Sequence, residues 1–189
     1  MKLVSVLLAL PLVQAGTSLR REIEGRIGKV PHGWKDVGPT TVKKVELAFF
    51  LKNPESSVAA LKKELLDRSD PQSKNYGQWL SNEAVHDMVA PEEDSIRVVV
   101  DWIRSHGASA VMATPNSDVI LSTVPLVVAE NMLATEFRAF HHAESDAVLT
   151  RCLGYSLPVD VAEKVALVSG KTCKTLSFEL PLVITVSHI

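Results

Sequence analysis

Six histidines, His32, His86, His106, His141, His142 and His188, are the side chains here best suited to acid–base or metal chemistry. Only His141 and His142 are adjacent, and adjacency on an extended segment sends two side chains to opposite faces. A solvent-facing strand end is the ordinary reading of that pair. Glu92, Glu93 and Asp94 put three carboxylates in a row, but the first turn of a helix accounts for all three, because acidic groups there meet the positive end of the macrodipole. Cys152 and Cys173 either close one loop or stay as two buried thiols, and no His or second cysteine pair stands at zinc spacing beside them. Trp34, Trp79 and Trp102 offer flat platforms for a ligand, yet with aromatics only 5% of the chain, packing is their ordinary use. Gly-x-Ser-x-Gly, a glycine-rich phosphate loop and His-Glu-x-x-His are all missing from the sequence. No catalytic residue, cofactor or metal ligand is therefore expected.

The elements that would position these groups belong to an ordinary globular chain. Its 189 residues are 46% hydrophobic and 22% charged, enough for one sizeable core and unlike a disordered segment. A net charge of −2 gives no reason to expect nucleic acid or an anionic membrane as partner. No apolar run reaches the roughly 20 residues that span a bilayer. Met1-Lys2 followed by apolar Leu3 to Val13 and the small residues of Val13-Gln14-Ala15 reads as a secretory signal cleaved between Ala15 and Gly16. The competing reading is an apolar first strand. No Asn-x-Ser/Thr sequon is present.

Residues 16–41 are polar, carry several Gly and Pro, and read as a mobile leader without elements. Val42 to Leu51 alternates, with Val45, Leu47, Phe49 and Leu51 on one face of a strand. Asn53-Pro54 predicts a helix capped by Asn53, with Val58, Leu61 and Leu65 as its apolar stripe, stopping near Ser69. Ser81 predicts a second cap, for a helix reaching Ala90 on an Ala84, Val85, Met88, Val89 stripe. Pro91 opens a third helix, lined by Ile96, Val99, Val100 and Ile103 and closed by Gly107. Strands over 109–113 and 118–123, a helix opened by Pro125 with Leu126, Ala129 and Leu133 on one face, short strands at 137–141 and 147–150, and a helical turn or two at 158–164 complete the pass. Helices interspersed with short, partly hairpin-joined strands predict an α+β fold with an antiparallel sheet, of the ferredoxin-like split β-α-β kind.

Several segments go further in combination. Pro31-His32-Gly33-Trp34, the strand Leu47 to Lys52, and Ser69-Asp70-Pro71-Gln72-Ser73-Lys74-Asn75-Tyr76-Gly77-Gln78-Trp79-Leu80-Ser81 stand in order, followed by Pro91, Trp102 and Gly107. Glu130 with Leu133, Phe137-x-x-Phe140-x-His142, Tyr155-Ser156-Leu157-Pro158 and Val165 to Gly170 continue the series. Together they resemble the activation domain of the sedolisin, or tripeptidyl-peptidase I, family of serine-carboxyl peptidases, over about residues 31–170. A histidine is common in that family where this chain has Trp79, so a role resting on that imidazole would be lost.

The resemblance implies a propeptide that assists folding, blocks the peptidase cleft and is removed in acid, and it implies the family's catalytic domain as partner. It implies no enzyme activity for this chain by itself, since the catalytic Ser, Glu and Asp of the family lie in a following domain. After Gly170 there is no Ser-Gly-Thr-Ser segment, and the apolar stretch Leu176 to Val186, broken by Glu179 and Pro181, resembles nothing in the family. The expected organisation is a signal at 1–15, a leader at 16–41, the activation domain at 42–170 and an atypical tail at 171–189. The chain is expected to be monomeric alone and secreted, to the extracellular space or a vacuolar or lysosomal compartment. His141 and His142 are the candidates for interfacial groups that gain charge in acid. A truncated precursor of an acid-acting tripeptidyl-peptidase or endopeptidase is the competing reading, and an unrelated ferredoxin-like binding module is a third.

Overall fold

The computed structural model describes residues 19–24 and 30–170. Ala15, Gly16, Cys173, His188, the expected signal and the tail lie outside those residues. Nine strands and five helices are placed among the described residues. The central strand is β3 (Lys44–Leu51), whose odd positions Val45, Leu47, Phe49 and Leu51 are all buried, as the alternation requires. It pairs antiparallel with β5 (Val119–Pro125) on one side and with β9 (Val165–Ser169) on the other; β4 (Val111–Met112) adds an edge next to β5. In chain order these strands sit as fourth, first, third, second. That is the order of a split β-α-β sheet, as the sequence predicts.

Helices α3 (Glu93–Ser105) and α4 (Leu126–Leu133) lie on the face of the sheet that carries the odd residues of β3. Val99, Val100 and Ile103 from α3 and Ala129, Met132 and Leu133 from α4 join that strand's face in one core cluster. Gly107 ends α3 as expected, with φ +72° and its N–H donating to the Arg104 carbonyl at 2.9 Å. Between α4 and β9 the chain adds β6 (Arg138–His142), β7 (Val148–Arg151), β8 (Tyr155–Pro158) and the short α5 (Val159–Lys164), whose Val161 and Ala162 close the core.

Three expectations change. The segment 16–41 does hold elements: β1 (Arg20–Glu24) pairs with β8, and β2 (Trp34–Pro39) pairs with β6 to form a second sheet, β2-β6-β7. Their pairing is decided by the partner strands rather than by an apolar period of their own, which is why the sequence hides them. Asn53 does not cap α1 (Glu55–Ser69); the helix begins one residue later and its first turn has no side-chain cap. The Asn53 amide donates instead to the Val89 carbonyl, tying the end of α2 (Asn82–Val89) back to the sheet. Finally, the Val58, Leu61, Leu65 stripe of α1 reaches no core. Neither α1 nor α2 has a buried residue, and Val58 and Leu65 are 49% and 55% exposed.

A paired substitution checks this division. Leu47→Ala, inside the core, is expected to cost about 2–5 kcal/mol in urea unfolding, whereas Val58→Ala should fall within about 0.5 kcal/mol of the parent. A Val58→Ala cost equal to that of Leu47→Ala would put α1 inside the cooperative core.

Candidate functional site

The residues singled out in the sequence fall into clusters that hold turns. Gly33 takes φ +82° in the turn Pro31 to Trp34, where the Trp34 N–H donates to the Pro31 carbonyl at 3.1 Å. That turn rests on His142. The Trp34 and His142 rings stand 4.9 Å apart, and a Cβ on Gly33 would lie 3.0 Å from His142 Nε2. The Ala143 N–H donates to the Gly33 carbonyl, and the Ser145 N–H donates to His142 Nδ1 at 3.2 Å, which puts the neutral ring's proton on Nε2. His142 is thus half-buried against the leader rather than facing solvent. The neighbouring His141 points elsewhere, its Nε2 2.5 Å from the exposed Asp146 carboxylate.

The segment Ser69 to Ser81 is built around a residue the sequence analysis passed over. Asp67 accepts from Ser73 Oγ at 2.7 Å and from Asn75 Nδ2 at 2.6 Å, and these bonds hold its carboxyl below the ordinary value of 3.8. Asp70 accepts from the Gln72 N–H at 2.9 Å, an Asx turn that lets Pro71 follow the helix end. Gly77, at φ +71°, donates to the Arg68 carbonyl at 3.0 Å, and Ser81 Oγ accepts from the Ala84 N–H at 3.2 Å as the expected cap. Asp67 is the carboxylate at the last turn of α1, and its spacing of six to Ser73 and eight to Asn75 was the available signal. Tyr76 and Trp79 remain 55% and 61% exposed, so Trp79 is not spent on packing. Trp79 and Leu80 instead wall a cleft of about 170 Å³ with Leu61, Leu65, Arg68 and Val85.

The remaining motif residues lock the core. Glu130 accepts from the Phe137 N–H at 3.0 Å across the left-handed residue Ala134, and Thr135 Oγ1 donates to the Gly154 carbonyl at 2.6 Å. Phe137, Phe140, Tyr155, Leu157, Pro91, Pro158 and Cys152 are buried. The Tyr155 hydroxyl accepts from the Val168 N–H at 2.7 Å, tying β8 to β9. Trp102 meets Phe49 edge-on at 5.8 Å. A concavity of about 490 Å³ beside α4 holds Glu130, Glu136 and Arg138, but those charges are occupied with the Phe137 N–H, with each other and with Asp36. Among the described residues no cluster of three His, Cys, Asp or Glu is arranged to hold a metal ion.

One extended surface is left uncovered by the helices. On the face of β3 opposite the core stand Glu46, Ala48 and Phe50, and the register brings Leu121 and Val111 beside Ala48 and brings Val119 and Leu167 beside Phe50. Val111 is 58% and Leu167 37% exposed; Phe50, Val119 and Leu121 are half-buried. The sequence carried a signal for this face, since Ala48 and Phe50 make the even positions of β3 apolar too, and a strand apolar on both sides expects cover on both.

A ferredoxin-like α+β domain with one sheet face sealed by helices, one apolar face open, and motif residues committed to turns defines the class. The chain belongs to the Pro-kumamolisin, activation domain, family, whose model matches residues 32–173 and so includes β2. It is similar to the probable tripeptidyl-peptidase SED4 of Arthroderma benhamiae, 27% identical over 150 residues that make 78% of this chain and 24% of that protein. It is also similar to tripeptidyl-peptidase SED3 of Arthroderma otae, 27% identical over 85% of this chain and 27% of that protein, and to physarolisin of Physarum polycephalum, 32% identical over 61% of this chain and 20% of that protein. The chain spans about a quarter of the length of these relatives.

Gly33 offers the direct test of the motif clusters. Gly33→Ala meets both a positive φ and the His142 ring, and is expected to cost about 1–3 kcal/mol. Combining it with His142→Ala should relieve the steric share, which a double-mutant cycle by thermal unfolding reads as favourable coupling. Strict additivity would show that the turn does not rest on the ring.

Proposed function

We propose that this chain is the activation segment of a sedolisin peptidase, acting as folding assistant and inhibitor of the catalytic domain, without turnover of its own. The observation that carries the reading is the open apolar face formed by Ala48, Phe50, Val111, Val119, Leu121 and Leu167 in a chain of this family. A contiguous exposed apolar patch of this kind marks an interaction site, and the relatives' names describe peptidases whose length extends well beyond the matched region. The unit proposed to act is the activation domain at 42–170 together with β2, which reaches back into the leader. A secretory signal at 1–15 would send it to an extracellular or acidic vacuolar compartment. A precursor of a tripeptidyl-peptidase or endopeptidase is the second reading, favoured by the relatives' names.

Val111 and Leu121 are the residues to change, because both lie on the open face and outside the core cluster. With a mature sedolisin catalytic domain, the chain is expected to inhibit peptide hydrolysis, and Leu121→Lys should weaken inhibition by tenfold or more, a loss of about 1.4 kcal/mol. The isolated chain should hydrolyse no peptide between roughly pH 3 and 7. Turnover that tracks with the purified protein, or inhibition indifferent to Leu121→Lys at unchanged stability, would overturn the reading.

A further inference from the structure

Strand β2 stands apart from the rest of the domain. It lies at the edge of the small β2-β6-β7 sheet, pairs with β6 alone, and its register breaks between Asp36 and Gly38. At that irregularity the backbone is held by one carboxylate. Asp36 Oδ2 accepts from Arg138 Nε at 2.6 Å across the sheet, while Oδ1 accepts from the Gly38 N–H at 2.9 Å. Gly38 sits at φ +107°, so the irregularity is a conformation that the carboxylate bridges rather than one the ladder enforces.

We propose that β2 is an acid-released clasp: protonation of Asp36 frees residues 34–39 from β6 while the four-stranded sheet stays folded. A neutral carboxyl loses its charge-assisted bond to the guanidinium and weakens its hold on the Gly38 amide. The pair is about one-third exposed on each side, so its worth is modest. It suffices here because β2 has so little else to hold it.

The charged groups around Asp36 fix the sign. Arg138 faces it from β6, and Glu136, just before β6, shares the same guanidinium at 2.9 Å. Lys35, on β2 itself, and His141, its partner in the register, complete the titratable groups of the pair near Asp36; His142 stands opposite Trp34. The guanidinium holds the Asp36 carboxyl below its ordinary 3.8, so the clasp's contribution is complete above that value and is lost as pH falls through the lowered one. Charging His141 works the other way, since its ring already touches Asp146 and would gain an ion pair there.

The consequence is a local opening that presents residues 34–39 to a peptidase working in strong acid. The inference concerns this chain alone and stands whether or not the open sheet face binds a catalytic domain.

Amide hydrogen exchange on the whole chain, corrected for intrinsic rates, is the test. Between about pH 5 and pH 3 the β2 amides should lose roughly three- to tenfold in protection, while Leu47 and Phe49 amides in β3 keep theirs. Asp36→Asn should show the loosened β2 already at pH 5 and no further change on acidification. His141→Asn should leave the wild-type response in place. Wild-type β2 protection that is flat from pH 5 to 3, or that falls only together with β3, would overturn the clasp. So would an Asp36→Asn chain whose β2 is as protected as the parent's at pH 5.

Discussion

Everything in this domain depends on β3 being hydrogen-bonded on both edges and sealed on one face only. Its pairing to β5 and β9 leaves neither edge open, and its odd side chains anchor both helices of the split β-α-β frame. Burying one face this thoroughly fixes register, because a one-residue slip would turn Val45, Leu47, Phe49 and Leu51 outward. The even face inherits that rigidity without contributing to it. An apolar surface held flat by a core on its reverse side is preorganised for association, which lowers the ordering cost that binding must meet.

What the sequence disclosed follows from where burial decides structure. The alternation of β3 and the stripe of α3 are legible because each faces the core and nothing else. β1 and β2 are not legible, since strands of polar or half-buried residues take their conformation from a partner many residues away. The stripe of α1 shows a further limit of periodicity. Val58, Leu61 and Leu65 do recur at helical spacing and the helix forms, but spacing says only that a helix has an apolar side, not that the domain has something to put against it.

The motif residues illustrate the same point from the side of chemistry. Glu130, Asp67, Asp36 and Tyr155 each spend their polar atoms on backbone or neighbouring side chains that hold a turn or a strand in place. A carboxylate that accepts a backbone N–H at a chain reversal looks, in sequence, like a candidate acid or base. Only the placement of the Phe137, Gln72 and Gly38 amides beside Glu130, Asp70 and Asp36 separates the two roles.

The excursion from α1 through α2 lies between β3 and α3, yet contributes no buried residue. For the folding chain it therefore works as a tether whose length enters only through closure entropy, a cost that grows by about 0.6 kcal/mol for each doubling. The frame can form while this segment is still searching. Relatives of this domain are accordingly free to lengthen, shorten or resurface that stretch, and so to change what it touches, with the geometry of the open sheet face left intact.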